Sequence, residues 1–259
     1  MSYQVLSRKW RPQRFDKVVG QIHITRTLQN AIGMDRVAHG YLFAGPRGVG
    51  KTTTARILAK VLSCENPQDK HPCNKCANCR DITKGSSLDV QELDGASNRG
   101  IDEIRGLREA VKYPPNSGEY RIYIIDEVHM LTREAFNALL KTLEEPPPHI
   151  VFIMATTDAH KVPATILSRT QKFDFKPISL NDISTYLKGI LGSEKITYDD
   201  EGICLISQKA DGSLRDALSL LDQVIAYAGE TLNVETVRDV LGIIEENVFL
   251  DVMKFINKK

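Results

Sequence analysis

Three groups of residues in this 259-residue chain have the types and spacing needed for chemistry. The first is Gly45-Pro46-Arg47-Gly48-Val49-Gly50-Lys51-Thr52, a full match to G-x-x-x-x-G-K-[ST] placed after a predicted strand and at the start of a predicted helix. Gly45, Gly48 and Gly50 let the backbone wrap closely around phosphate, with its N–H groups and the helix N-terminus facing the anion. Lys51 can reach the β- and γ-phosphates, and Thr52 can offer its hydroxyl to Mg²⁺. Pro46, Arg47, Val49 and Thr53 complete the nucleotide-contacting stretch. The second group ends the apolar run IYIIDE at 122–127. Two carboxylates at the tip of a buried strand are costly unless a cation or a reacting water uses them. Asp126 suits Mg²⁺, and Glu127 suits polarisation of an attacking water.

The third group is Cys64-x8-Cys73-x2-Cys76-x2-Cys79, four of the five cysteines. In a cytosolic chain such a cluster reads as metal before disulfide. Four thiolates suit tetrahedral Zn²⁺ in a structural role, although the spacing differs from paired C-x-x-C motifs, and His71 competes with Cys64 as fourth ligand. Cys204, in the apolar stretch GICLIS, reads as an ordinary buried thiol.

The elements that must position these groups follow from the hydrophobic pattern. YLFAG (41–45), DVQELD (89–94), RIYIIDE (121–127), IVFIMAT (150–156) and QKFDF (171–175) read as strands. The first, third and fourth are nearly all apolar, as central parallel strands covered on both faces require. Helical segments lie between them, including residues 51–62 and residues 133–145, the latter stopped by Pro146, Pro147 and Pro148. This alternation implies an α/β sandwich around a parallel sheet. From 179 to 241 only helical periodicity appears, over 180–191, 199–210, 213–228 and 234–241. Asp199 or Asp200 is placed to cap the second of these helices, and Gly229 to end the third.

Lys+Arg total 34 against 33 Asp+Glu, so bulk charge does not draw the molecule to nucleic acid, and any DNA contact needs a local patch. No secretory signal and no apolar run of spanning length appears, which makes a cytoplasmic protein without membrane contact the expectation.

The series RPQRFDKVVGQ (11–21), GPRGVGKT (45–52), IIDEVHML (124–131), FNALLKTLEEPP (136–147), ATTD (155–158), ILSRT (166–170) and GSLRDALSL (212–220) resembles the AAA+ clamp-loader ATPases of bacterial DNA polymerase III, with the motifs in the expected order. The resemblance implies a five-stranded parallel AAA+ sheet over 1–178, a zinc module at about 64–79, a small all-helical lid over 179–242, and in 243–259 the beginning of a truncated C-terminal collar domain. It implies that Thr157 is sensor 1, with Thr156 the neighbouring candidate and a turn-capping role open to either. It also implies that Arg215 on the lid touches its own subunit's γ-phosphate, and that Arg169 is a finger reaching a neighbour's ATP. Where the family usually reads SRC, this chain has Thr170. Pro12, Val18, Val19 and Leu214 would line the adenine pocket, though small apolar residues equally suit plain core. The family's zinc module has this spacing and favours Cys64 over His71.

The basic residues Arg99, Arg105, Arg108 and Lys112 fall where clamp loaders hold primer–template DNA, which implies salt-sensitive phosphate contacts. A solvated face balanced by Asp102, Glu103 and Glu109 is the other reading. The cofactors implied are ATP, Mg²⁺ and Zn²⁺. The partners implied are other clamp-loader subunits of delta and delta-prime type, further copies of the chain, the sliding clamp and DNA. The activity implied is an ATP-driven motor that opens a ring-shaped clamp and closes it on primed DNA, weak in the isolated chain because Arg169 serves a neighbour. DEVH at 126–129 resembles a helicase box, but a helicase needs two tandem motor domains. A GTPase is disfavoured because no Asn-Lys-x-Asp motif occurs.

Overall fold

The computed structural model describes residues 3–97, 100–229 and 231–243. Its elements, in chain order, begin with Leu6–Lys9 (α1), Ile22–Gly33 (α2), Gly40–Ala44 (β1), Lys51–Leu62 (α3), Ala77–Lys84 (α4), Val90–Asp94 (β2) and Ile101–Ala110 (α5). They continue with Arg121–Asp126 (β3), Arg133–Glu144 (α6), Ile150–Thr156 (β4), Ala164–Leu167 (α7) and Gln171–Asp174 (β5). The last are Leu180–Glu194 (α8), Thr197–Tyr198 (β6), Asp200–Lys209 (α9), Leu214–Ala228 (α10), Thr231–Leu232 (β7) and Val234–Leu241 (α11). Contacts divide the chain into two compact units, Pro12–Pro177 and the combination of Met1–Arg11 with Ile178–Lys259.

The first unit is built on a five-stranded sheet of order β2-β3-β4-β1-β5, every pairing parallel. The alternation of side chains along each strand assigns them to two layers. Tyr41, Phe43, Ile122, Ile124, Val151 and Ile153 face one side and pack with Ile24 and Leu28 of α2 and Ile57, Leu58 and Val61 of α3. Leu42, Tyr123, Ile125, Phe152 and Met154 face the other and pack with Ile104 and Leu107 of α5 and Phe136, Leu139 and Leu143 of α6. Both faces of β1, β3 and β4 are thus covered, which explains their unbroken apolar runs. The edge strands differ: Gln91, Glu92 and Asp94 on β2 and Gln171, Lys172 and Asp174 on β5 are exposed. Thr132 caps α6 by accepting from the Ala135 N–H, and the helix ends at Glu144 just before the proline triplet. Because all strands run the same way, the C-terminal ends of β1, β3 and β4 lie on one edge, with Ala44 opposite Thr156. Open parallel sheets place their ligand sites at this edge.

In the second unit α8, α9, α10 and α11 bury Ile183, Leu187, Ile203, Ile206, Leu221, Val224 and Val237 against one another. Ser179, Ser213 and Asn233 cap α8, α10 and α11. Gly229 sits at the end of α10 with φ +74°, and Asp199 occupies the N-cap of α9 without a side-chain cap bond.

Three sequence expectations need correction. The lid is not all helical: β6 and β7 pair in parallel, Thr197 with Thr231 and Tyr198 with Leu232, and two-residue strands are too short to leave a periodic signal. Residues 3–11 belong with the helices of the second unit rather than with the first unit. Asp222 of α10 accepts from Tyr3 Oη at 2.7 Å and from the Leu6 N–H at 2.8 Å; Glu194 accepts from Trp10 Nε1 at 2.9 Å; and Tyr186 Oη donates to the Trp10 carbonyl at 2.7 Å. Cys204 is half-buried rather than buried. The expected collar segment, apart from Ile243, lies outside the described residues.

Candidate nucleotide site and cysteine module

The loop after β1 takes a shape that only glycine permits at its first position. Gly45 has φ +149°, and a Cβ there would stand 2.4 Å from the Phe175 carbonyl oxygen. Gly48 and Gly50 also have positive φ, and Gly50 forms the left-handed N-cap of α3. The loop therefore curls tightly enough for its amides to converge at the helix start, the arrangement that favours bound anions. Lys51 is buried, and its Nζ donates to the Gly45 carbonyl at 2.8 Å and the Pro46 carbonyl at 2.7 Å. Burial pushes its ammonium pKa down, and the charges of Glu127 and Asp126 act in the opposite direction. Pro46 and Arg47 are exposed, Thr53 is half-buried, and Val49 is fully inside the core.

Facing the loop, the end of β3 carries the two acids. Thr52 Oγ1 donates to Asp126 Oδ2 at 2.7 Å, so the two oxygens that would share a magnesium ion already converge. Asp126 Oδ1 accepts the Glu127 N–H at 2.9 Å. Glu127 takes a left-handed backbone, φ +45°, which turns its side chain away from the strand direction. Its Oε2 accepts from Thr157 Oγ1 at 2.9 Å and from the Thr157 N–H at 3.3 Å, with His129 Nδ1 3.4 Å away. The two threonines at the end of β4 thus divide their work. Thr157 touches Glu127, whereas Thr156 is buried, caps the turn by accepting the Asp158 N–H at 3.0 Å, and lies 3.0 Å from His129 Nδ1.

Lys51, Thr52, Asp126, Glu127 and Thr157 are thereby brought together. Val18 is buried, and its Cγ1 would lie 3.7 Å from a Cβ on Gly50, which sets it beside the loop; Pro12 and Val19 are half-buried. Arg169 lies between α7 and β5. Its guanidinium donates to Glu144 Oε1 at 3.1 Å, the Thr165 carbonyl at 2.9 Å and Ser168 Oγ at 3.1 Å. The hydroxyl of Thr170 donates to the Ile166 carbonyl at 3.0 Å. Leu214 and Arg215 belong to the helical unit, in the first turn of α10, with Leu214 buried and Arg215 exposed. A cation in a first turn opposes the helix dipole, so local helix energetics do not explain Arg215.

Three residues of this site escaped the sequence reading. His129 borders both Glu127 and Thr156, and its signal was its place in the acidic motif itself. Gly95 donates its N–H to the Asp126 carbonyl at 2.8 Å, and a Cβ there would sit 2.7 Å from the Glu127 carbonyl oxygen. Glu144, the partner of Arg169, is 25 positions away from it and gives no local sign.

The four cysteines converge. Sγ atoms of Cys64, Cys73, Cys76 and Cys79 all lie within 4.8 Å of one another, and four thiolates at about 2.3 Å from a shared zinc would be roughly 3.8 Å apart. Backbone amides point at the sulfurs: Cys73 N at Cys64 Sγ (3.3 Å), Lys75 N and Cys76 N at Cys73 Sγ (3.4 and 3.3 Å), and Cys79 N at Cys76 Sγ (3.4 Å). This donor set fits a closed, structural zinc centre. His71 is not in the cluster; it is buried, with Nε2 3.2 Å from Gln29 Nε2. The amides of Lys75 and Cys76 bring the Cys73 thiol down to about 6, while burial pushes Cys79 and Cys64 up. After zinc is stripped, iodoacetamide at neutral pH is expected to label Cys73 well before Cys79. Peptide mass spectrometry over a time course checks this, and equal rates would contradict the unequal environments.

Of the proposed DNA-facing residues, Arg105 and Lys112 are exposed and Arg108 is half-buried. Helix α5 closes at Ala110, so Lys112 lies just past it rather than on it, and its Nζ donates to Glu109 at 2.6 Å. Arg99 lies outside the described residues.

Comparison with known proteins agrees with this geometry. Residues 20–179 match the family described as DNA polymerase III, delta subunit, and residues 182–230 match DNA polymerase III clamp loader subunit, ATPase lid domain. The chain is 53% identical over 246 residues to the DNA polymerase III subunit tau of Bacillus subtilis, covering 95% of this chain and 44% of that protein. It is 47% identical over 254 residues to subunit tau of Escherichia coli, covering 98% and 40%. It is 46% identical over 253 residues to subunit gamma of Buchnera aphidicola (subsp. Baizongia pistaciae), covering 98% and 68%. The chain thus spans less than half the length of these tau subunits. Among solved structures, the Thermotoga maritima RuvB Holliday junction branch migration motor superposes with a TM-score of 0.68 at 18% identity, over 90% of this chain and 72% of that one. At that identity the likeness concerns the fold alone.

Proposed function

We propose, because this chain belongs to the tau/gamma family of DNA polymerase III clamp-loader subunits, that it is an ATPase motor subunit that loads the sliding clamp onto primed DNA. The observation that carries the proposal is the meeting of Thr52 with Asp126 and of Thr157 with Glu127 beside the glycine loop. In this reading the loop amides and Lys51 hold the phosphates of ATP. Thr52 and Asp126 hold Mg²⁺, which when bound offsets phosphate charge. Glu127 orients the attacking water, and Thr157 senses the γ-phosphate end. Val18 with Pro12 and Val19 takes the base. Arg169 serves the site of a neighbouring subunit, so turnover by the isolated chain is slow and rises in assembly.

The partners are subunits of delta and delta-prime type, further copies of the chain, the clamp and primer–template DNA, the last met by Arg105, Arg108, Lys112 and Arg99. Zinc in the cysteine module is structural. Among the described residues no helix is long and apolar enough to cross a membrane, and we assign the protein to the cytoplasm.

Calorimetric titration of the full chain with ATP and Mg²⁺ tests the reading, followed by turnover measurements on addition of the other loader subunits, clamp and primed DNA. Saturable binding, with turnover stimulated by the complete mixture, is expected. Absence of saturable binding, or turnover indifferent to clamp and DNA, would remove the motor assignment.

A further inference from the structure

Lys60 has an unusual setting. It lies in the last turn of α3 with only 2% of its surface exposed. A lysine at a helix C-terminus is favoured by the dipole, but it can serve that purpose from solvent. Here the ammonium is buried and donates to two neutral amide oxygens, Gln13 Oε1 and Asn74 Oδ1, the latter at 3.2 Å. Burying an ammonium against neutral acceptors is costly unless a negative charge lies near. A metal-bound Cys79, which ligates as thiolate, would supply one, against the burial that disfavours the charged form of Lys60. Four thiolates around a divalent ion carry two net negative charges, so a loaded cysteine module would hold this ammonium in place.

Both acceptors matter. Asn74 stands between Cys73 and Cys76 with φ +57°, and its Nδ2 donates to the Gln13 carbonyl at 3.4 Å. Gln13 is therefore gripped at its side chain by the phosphate-loop helix and at its backbone by the cysteine loop. The same loop holds the next residues through His71, whose ring centroid is 6.4 Å from that of Phe15 and whose Nδ1 is 3.9 Å from Asp16 Oδ1. The gripped segment, 13–16, follows Pro12 directly and leads into Val18 and Val19.

We propose that the cysteine module is a brace for the base-contacting segment: Asn74 and Lys60 are positioning residues that fix Gln13, and through it the residues on which the adenine rests. This inference rests on the nucleotide reading above. It assigns the module a task inside its own subunit, with phosphate binding left to the glycine loop.

Asn74→Gly and Gln13→Ala test it in the full chain. Glycine tolerates the positive φ of position 74, and Gln13→Ala changes no residue of the module and keeps the carbonyl that Asn74 meets. The readouts are zinc content by elemental mass spectrometry and the affinities of Mg-ATP and Mg-tripolyphosphate by calorimetry. Tripolyphosphate engages the phosphate and magnesium groups and has no base for the 12–19 segment to hold. With zinc retained, each variant is expected to bind ATP about five- to tenfold more weakly, a loss on the scale of one or two net hydrogen bonds, and to bind tripolyphosphate as the unmodified chain does. ATP affinity that is unchanged, or an equal loss for both ligands, overturns the brace. Should Asn74→Gly also lose zinc, Gln13→Ala alone decides. If the unmodified chain binds neither ligand, the nucleotide reading itself has failed, a result separate from failure of the brace.

Discussion

Replacing Glu127 by Gln is expected to slow ATP turnover in the assembled loader by about 10²- to 10³-fold, the range of a lost general base or water-orienting group. ATP affinity should remain close to that of the unmodified protein. The substitution keeps the shape of the side chain and removes its charge. It leaves untouched the groups that would hold the nucleotide, namely the loop amides, Lys51, Thr52 and Asp126. The geometry explains why Glu127 rather than Asp126 should show this split. Asp126 is committed to Thr52 and to the Glu127 amide, whereas Glu127 has a left-handed backbone and its carboxylate meets Thr157, just past β4, and His129. Single-turnover hydrolysis set beside equilibrium ATP binding makes the measurement. Undiminished turnover would take Glu127 out of the chemistry, and a parallel loss of binding would make it part of the cradle.

The second large effect is expected at Arg169, and it depends on company. Arg169→Ala should leave the low turnover of the isolated chain unchanged, yet reduce that of the reconstituted loader by about 10³-fold, as removal of an arginine supplied in trans does elsewhere. Arg169→Lys should rescue little, because a point charge does not reproduce the planar fork of donors. In the chain alone the guanidinium is partnered by Glu144, the Thr165 carbonyl and Ser168. These contacts are easily exchanged, since half-exposed ion pairs contribute little. Mixing experiments locate the effect: subunits with Arg169→Ala should depress hydrolysis at the neighbouring site and not at their own. A loss confined to the mutated subunit's own nucleotide would refute action in trans.

What could be read from the sequence was what is encoded locally. The glycine loop and the acids of β3 are contiguous, and the apolar runs of β1, β3 and β4 reflect burial on both faces. Those features needed no knowledge of distant residues. The four cysteines were equally legible because sixteen positions contain them all. What resisted reading was long-range or depended on side-chain direction. Residues 3–11 carry no mark of their attachment to Asp222 and Glu194, which lie about two hundred positions further on. Thr156 and Thr157 are adjacent and chemically alike. Only the bend at the end of β4 decides which of them meets Glu127, since Thr156 is the last strand residue and Thr157 lies just past it. Gly95 looked like any loop glycine until the close approach of the Glu127 carbonyl gave it a reason.

The charged margins of the sheet bear on how copies of this protein can meet. An open row of backbone amides and carbonyls invites another chain to add itself as one more strand, the route to aggregation. Here both margins are dressed with ions. Glu92 is clasped by Arg56 through two bonds of 2.6 and 2.7 Å at one end, and Lys172 pairs with Asp174 at 2.9 Å at the other. Strand-to-strand growth would have to strip water from these groups. On the proposed reading, neighbouring subunits would meet through side-chain surfaces, and such joints could be remade without the sheet being opened.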